Sequence, residues 1–335
     1  MQATYTHDNL GRLTQVVYDN GSSVVYSYDA VGNRTSVVRV GSLSATDGDP
    51  SVSQMRATLT QGDHWGLTNV TNGGVLYVEP IFDGRIGIWN GAATYRFKST
   101  PLSLSLTGLA AGNYRLYVYD SNDDAIVDAG ELVAWSGNTP PSDTLVADGY
   151  LVNASATNRR AVADIMLHGT GQCDWSESRR GICHIDERSR CVTALSAFPS
   201  EDSWAVPGST TWRRVAGGST AGQHFVEFIL SSTTLVSADA IVTVDRSNGS
   251  GLLKYHLGFG LDATNANSAT QPFGYDENII GLNAFPASAR LRANIAVGKH
   301  TLNLIEQNLS NRNADAYGDN GETAFKSGML VEIML

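Results

Sequence analysis

Lysine is scarce in this chain: four occur in 335 residues, at 98, 254, 299 and 326, and they are scattered. Phosphate binding needs clustered cations, and the net charge here is −10 with a pI near 5.1, so nucleic acid is excluded as an expected partner. An acidic surface of this kind suits a neutral or basic partner and favours solubility. No 18-residue apolar run exists, which leaves no segment expected to insert in a membrane. A basic start followed by an apolar stretch is also lacking, so no signal peptide is expected and synthesis in a cytoplasm is. Nowhere does a 3.6-residue apolar period persist over several turns, which argues against long helices.

Catalytic motifs are equally sparse. There is no G-x-S-x-G elbow, no H-E-x-x-H and no phosphate-binding glycine loop, and the seven histidines are dispersed. Glu79, Asp83, Asp262 and Glu306 are carboxylates that could be drawn into a glycosidase pair, which needs two of them about 5–9 Å apart. Acids at strand ends more commonly face water, so no catalytic residue is assigned and the chain is read as non-enzymatic. Cys173, Cys183 and Cys191 fall within nineteen residues beside His184. Their ten- and eight-residue steps match no usual zinc-ligand spacing, and an odd number is no disulfide framework. Reduced thiols, or one disulfide, are preferred over a metal site.

What is present is the vocabulary of strands and turns: 34 glycines, many Ser, Thr and Asn, and β-branched and aromatic residues in short runs. The expected class is all-β. LSLSL at 102–106 and the Leu116, Val118 pair alternate with the two-residue period of half-buried strands. In HFVEFIL, Val226, Phe228 and Leu230 form an apolar face opposite Phe225, Glu227 and Ile229. Residues 41–50, GSLSATDGDP, have linker composition. The expected organisation is an N-terminal arm over 1–40, the linker 41–50, a β domain over 51–198 and a second antiparallel domain over 199–335, a sandwich or jelly roll. Within the first domain, the stretch from Asn138 to Phe198 reads as an irregular, cysteine-containing connector.

The N-terminal arm is a repeat. YTHDNLGRLT at 5–14 returns as YSYDAVGNRT at 26–35, 21 positions later, with a strand–turn–strand phrase between the copies. Tyr5 and Tyr26, Asp8 and Asp29, and Gly11 and Gly32 coincide, and Tyr28 completes the Y-x-Y-D phrase. This resembles the YD repeat of Rhs-type proteins, whose members build shells or spacers. Two copies cannot close a shell, and a lone ribbon of hairpins is marginal in water. Residues 1–40 are therefore expected to dock on another subunit or particle surface by strand addition, with Tyr5, Asp8, Gly11, Tyr26, Tyr28, Asp29 and Gly32 at the docking segment. Folding back onto the chain's own body is the alternative.

The rest of the chain carries an ordered series of phrases: VLYVEPIFDGRIGIWNG, LSLSLTGLAAGNYRLYVYD, LVADGYLVNASATNRRAVADI, LGFGLDATNANS, GKHTLNLIEQN and SGMLVEI. Their succession over about residues 54–335 resembles a module of bacteriophage virion proteins. The stretch after Gly169 and the acidic loop after Tyr119 depart from that module. The resemblance implies a virion component assembled in the host cytoplasm, either a tail fibre or spike or a capsid decoration protein. It implies other virion proteins as partners through residues 1–40, a homo-oligomer with a trimer favoured, and a host-surface glycan or protein as a possible contact. A glycan-depolymerising tail spike, or a fragment of an Rhs-type secreted protein, is the alternative.

One loop has the chemistry of a cation site. Asp120, Asn122, Asp124, Asp128 and Glu131 place oxygen ligands at positions 1, 3, 5, 9 and 12 of a twelve-residue stretch, as in a calcium loop. Position 6 is Ala125 where glycine normally permits the sharp turn, and the flanks read as strands instead of helices. A solvated acidic hairpin loop is the plainer reading; Ca2+ is the possible cofactor. Among the six tryptophans, Trp135 is expected in the core and Trp175 is expected to be the more exposed.

Overall fold

The computed structural model describes residues 3–18, 23–28, 34–40, 55–63, 68–81, 84–89, 94–122, 126–176, 178–185, 191–197, 204–215, 225–246, 253–266, 268, 271–272, 274–277, 285–309, 314–317 and 328–334. The architecture is all-β, with antiparallel and mixed sheets. No helix among the described residues is long and apolar enough to cross a membrane.

The N-terminal strands Ala3–His7, Leu13–Tyr18, Ser23–Tyr28 and Arg34–Val40 pair in chain order, each antiparallel to the next. Among the described residues these four strands pair only with one another. Val16 is their one buried apolar side chain among those described, whereas Tyr5 and Leu10 are 60% and 75% exposed.

The body has two large cores. The first gathers Met55, Leu76, Val78, Ile86, Leu116, Val118, Ile165 and Leu167. Its axis is strand Gly112–Tyr119, paired on one side with Ala129–Ala134 and on the other with Ala156–Gly169. A register shift opposite Leu116 and Tyr117 brings the adjacent residues Val162 and Ala163 into that same core.

The second core lies between two sheets. Val236, Ala238, Ala240, Val242 and Val244 alternate inward along strand Thr234–Arg246, joined by Ala287, Ala289 and Leu291 from its partner strand. They meet Phe228, Tyr255, Leu257, Phe259 and Leu304 from the opposing sheet. Small alanines on one face accommodate bulky aromatics on the other, as close packing in a sandwich requires. The apolar face expected for Val226, Phe228 and Leu230 is there, all three with no exposure.

The two cores share a sheet. Arg179–Arg180 runs parallel to strand Phe225–Leu230, so a single 14-stranded sheet passes through both. A small cluster of Trp135, Met166, Cys183 and Ile229, with Val297 against it, seals the junction.

The segment from Asn138 to Phe198 corrects the sequence reading. In place of an irregular connector it carries seven strands, among them the fourteen-residue Ala156–Gly169 at the centre of the first core. The Pro140-Pro141 turn and the arginine-rich stretch over 179–190 make the segment look irregular. Arg160 and Asp164 are in fact fully buried with partners, so their charge does not signal solvent. Strand Cys191–Ala197 already belongs to the sheet of the second core, paired with Gly328–Met334.

Candidate functional site

The repeat places its chemistry at a turn. Asp8 lies between the first two strands, and its Oδ1 accepts the backbone N–H groups of Leu10 and Arg12, each at 2.9 Å. Its Oδ2 accepts the Arg12 guanidinium Nε at 2.7 Å. The backbone N–H of Arg12, ahead of its side chain, holds the Asp8 carboxyl below the usual carboxylate range. Gly11 closes the turn at φ 77°, a left-handed conformation that costs glycine least, and donates to the Asp8 carbonyl at 2.9 Å.

The second copy then engages the first. The Arg12 guanidinium lies 4.7 Å from the centroid of the Tyr28 ring, and the Tyr28 hydroxyl donates to the Leu13 carbonyl at 2.8 Å. Asp, Gly and Arg of one copy thus build a turn that the Tyr of the next copy clasps. The Asp and Gly of that turn recur at positions 29 and 32, whereas Asn33 stands where the first copy has Arg12. Tyr26 is half-buried; Asp29 and Gly32 lie outside the described residues.

In the acidic loop, Asp124 lies outside the described residues. Asp128 accepts the backbone N–H and hydroxyl of Ser121 at 2.9 and 3.0 Å, and Asp120 accepts the N–H of Asn122 at 3.1 Å. Glu131 sits within strand Ala129–Ala134, ion-paired with Arg159. Described oxygens of this loop are thus engaged with protein groups, and among the described residues no cluster of metal-ligating side chains is found.

Three of the four carboxylates weighed for hydrolysis are described, and each is engaged by protein groups. Glu79 is buried and accepts the Gly62 N–H at 2.7 Å. Glu306 has no exposure; it accepts the Tyr255 hydroxyl at 3.0 Å and pairs with Arg213 at 2.8 Å. Asp262 accepts from His300 Nδ1 and the Thr301 N–H, both at 2.8 Å, and Asp83 lies outside the described residues. Cys173 and Cys183 are buried, and burial pushes the Cys173 thiol well above its ordinary value. Trp135 is in the core as expected. Trp175 is not the exposed residue that was expected: it packs against the first core with the Arg180 guanidinium 4.7 Å from its ring.

Two polar networks escaped sequence reading because their members lie far apart in the chain. The Arg115 guanidinium makes a bidentate pair with Asp164, at 2.8 Å to each oxygen, and also reaches Asp143. Tyr117 donates to Asp143 at 2.5 Å. Burial works against the Arg115 charge, but Asp164 and then Asp143 outweigh it and raise its pKa; burial pushes the Asp164 and Tyr117 groups up. The second network crosses the junction of the cores. Arg179 bridges Asp174 at 3.1 Å and Glu227 at 2.7 Å, and Lys299 approaches Glu227 at 3.3 Å. Burial raises the Glu227 carboxyl, yet Arg179 and Lys299 together hold it below its ordinary 4.5. Gly181 is required beside this network, since a Cβ there would lie 2.7 Å from both the Asp174 carbonyl and Cys173 Sγ.

Comparison with known proteins gives one family match: the RHS repeat, over residues 7–42. No curated protein matches the sequence. Among solved structures, that of infectious bursal disease virus, Gt strain, is 12% identical, with a TM-score of 0.23 over 84% of this chain and 74% of that one. The stem and receptor-binding domain of spike protein P1 from bacteriophage PM2 is 11% identical, with a TM-score of 0.23 over 83% and 95%. A β-porphyranase of glycoside hydrolase family 86 from Bacteroides plebeius is 11% identical, with a TM-score of 0.20 over 79% and 35%. Likeness at such scores carries no argument about function; the repeat at the N-terminus is what the comparisons establish.

Proposed function

We propose that this chain is a non-enzymatic structural protein of a bacteriophage virion, a tail fibre or spike or a capsid decoration component. Residues 1–40 dock it to the particle, and the two-core β body over 51–335 projects for contact with a host-surface glycan or protein, with strand Cys191–Ala197 belonging to the second core's sheet. The second core is that of a sandwich or jelly roll. The assembly is a homo-oligomer, with a trimer favoured by resemblance to fibre-like proteins. Several copies on one particle raise effective affinity without any new contact.

The observation that carries this reading is the division of labour between the ends. The repeat-bearing sheet pairs with nothing but itself among the described residues, while the body holds both large cores. A four-stranded ribbon whose outer strands have no further partner among the described residues is suited to pairing with a neighbour. The burial of Glu79 and Glu306, each already hydrogen-bonded, supports a binding role over hydrolysis. Cryo-electron microscopy of the intact particle tests the reading. The expected result is density for residues 1–40 against the particle with the body outward, and no release of reducing ends from host polysaccharide. Release of reducing ends, or a protein missing from the particle, overturns it.

A further inference from the structure

The docking arm carries the template for its own partner. Its inner pairing, between Leu13–Tyr18 of the first copy and Ser23–Tyr28 of the second, sets Gln15 opposite Val25 and Val16 opposite Val24. Because the phrase repeats every 21 residues, strand Arg34–Val40 is the second copy's version of Leu13–Tyr18, and Ala3–His7 is the first copy's version of Ser23–Tyr28. Those two strands are the outer edges of the sheet, unpaired among the described residues. One is the template's donor strand and the other its acceptor, and they stand at opposite ends of the same small sheet.

We propose that the N-terminal sheets of two copies of this chain join head to tail. Strand Arg34–Val40 of one copy adds antiparallel to strand Ala3–His7 of the next, with Ser36 opposite Thr4 and Val37 opposite Ala3. This rests on reading residues 1–40 as a docking arm and names the arm's partner as a second copy of this chain. The register follows from shifting the observed pairs by one repeat: Gln15 to Ser36, Val25 to Thr4, Val16 to Val37 and Val24 to Ala3. The pairing would extend the ladder of backbone hydrogen bonds without a break at the junction.

The side chains at the junction agree. Inside the sheet, Tyr28 donates to the Leu13 carbonyl across the two copies. One repeat away, these positions are His7 and the carbonyl of Arg34. The His7 imidazole offers a donor at the equivalent strand position, on a shorter side chain than that of Tyr28. His7 and Tyr5 are both exposed in the single chain. Such an interface is heterologous, and it closes into a ring or grows as a filament according to the rotation at each junction.

Cysteine pairing tests the register. Residues directly opposite in an antiparallel pair have Cα atoms about 4.5–5.5 Å apart, within disulfide range. Gln15→Cys with Val25→Cys is the control, which locks within one chain because that pairing is observed. Thr4→Cys with Ser36→Cys is the test, run in the full chain with isotopically heavy and light copies mixed. The expected result is a ladder of linked chains joining heavy to light through positions 4 and 36, absent from either single variant. Sedimentation gives a second readout: the unsubstituted chain is oligomeric at micromolar concentration, and the chain lacking residues 1–40 is monomeric. A control that locks while the test pair stays unlinked, or links within one chain, overturns the inference, as does an unsubstituted chain that sediments as a monomer. If the deletion still keeps the body off the particle in that case, docking on a different protein stands and head-to-tail joining falls.

Discussion

The N-terminal sheet and the C-terminal core are both antiparallel and both alternate, yet they are stabilised in different ways. In the C-terminal core, Val236 through Val244 bury every second side chain against Phe228, Phe259 and Leu304 across a second sheet. In the N-terminal sheet no second layer is present among the described residues, and order is held locally, by the Asp8 cap, the left-handed Gly11 and the Arg12–Tyr28 clasp. The difference teaches that strand pairing and turn chemistry suffice to specify a register, while burial is needed to make a sheet stand alone. The open outer strands of the N-terminal sheet are where the proposed strand addition by a neighbour would act.

The sharpest break of that comparison comes from the body's buried charge. Arg115→Ala leaves Asp164 and Asp143 without their cation in a site closed to water, and is expected to cost about 3–5 kcal/mol. Denaturant unfolding followed by tryptophan fluorescence reads this as a fall in midpoint, since all six tryptophans lie outside residues 1–40.

Next in size is the bridge between the cores. Glu227→Gln is expected to destabilise the body by about 1–3 kcal/mol at neutral pH, as a charge-assisted pair to Arg179 and Lys299 is lost. The folded-state pKa of Glu227 lies below its ordinary 4.5, so its contribution is present in full above that value and is lost as pH falls through the folded pKa. The gap between variant and parent should therefore close on acidification. A gap that persists in strong acid would assign the effect to packing.

A smaller change belongs to the N-terminal sheet. Arg12→Ala removes both the guanidinium partner of Asp8 and the cation over Tyr28, and is expected to loosen that sheet less than either change above affects the body. Amide hydrogen exchange should accelerate across residues 3–40 while the body's midpoint stays fixed. Exchange that rises in the body as well would mean that the two regions share a core.

The smallest expected effect is that of calcium. With Glu131 paired to Arg159 and Asp128 turned onto Ser121, millimolar calcium should move the body's melting temperature by less than about 1 °C. A larger rise would restore the loop as a cation site.

The parts legible in the sequence are those whose signal is local. The D-x-x-G-R turn could be read because Asp8, Gly11 and Arg12 act on one another within five residues. The inward face of Phe225–Leu230 could be read because alternation is a property of a single strand. The Arg115–Asp164–Asp143 cluster could not, because its members come from strands up to 49 residues apart and each alone resembles a solvated charge. The same blindness hid strand Ala156–Gly169, whose pairing with Gly112–Tyr119 spans the Pro140-Pro141 turn that reads as a connector. Trp175 was misplaced for a related reason: its cover, Arg180, arrives only when Gln172–Trp175 pairs with Arg179–Arg180.

The central claim is that residues 1–40 attach and the remainder projects. The most direct measurement deletes residues 1–40 and follows both the body's unfolding midpoint and its incorporation into particles. The account predicts an unchanged midpoint with incorporation lost. Incorporation at the parent level, or a body that no longer folds, would contradict it.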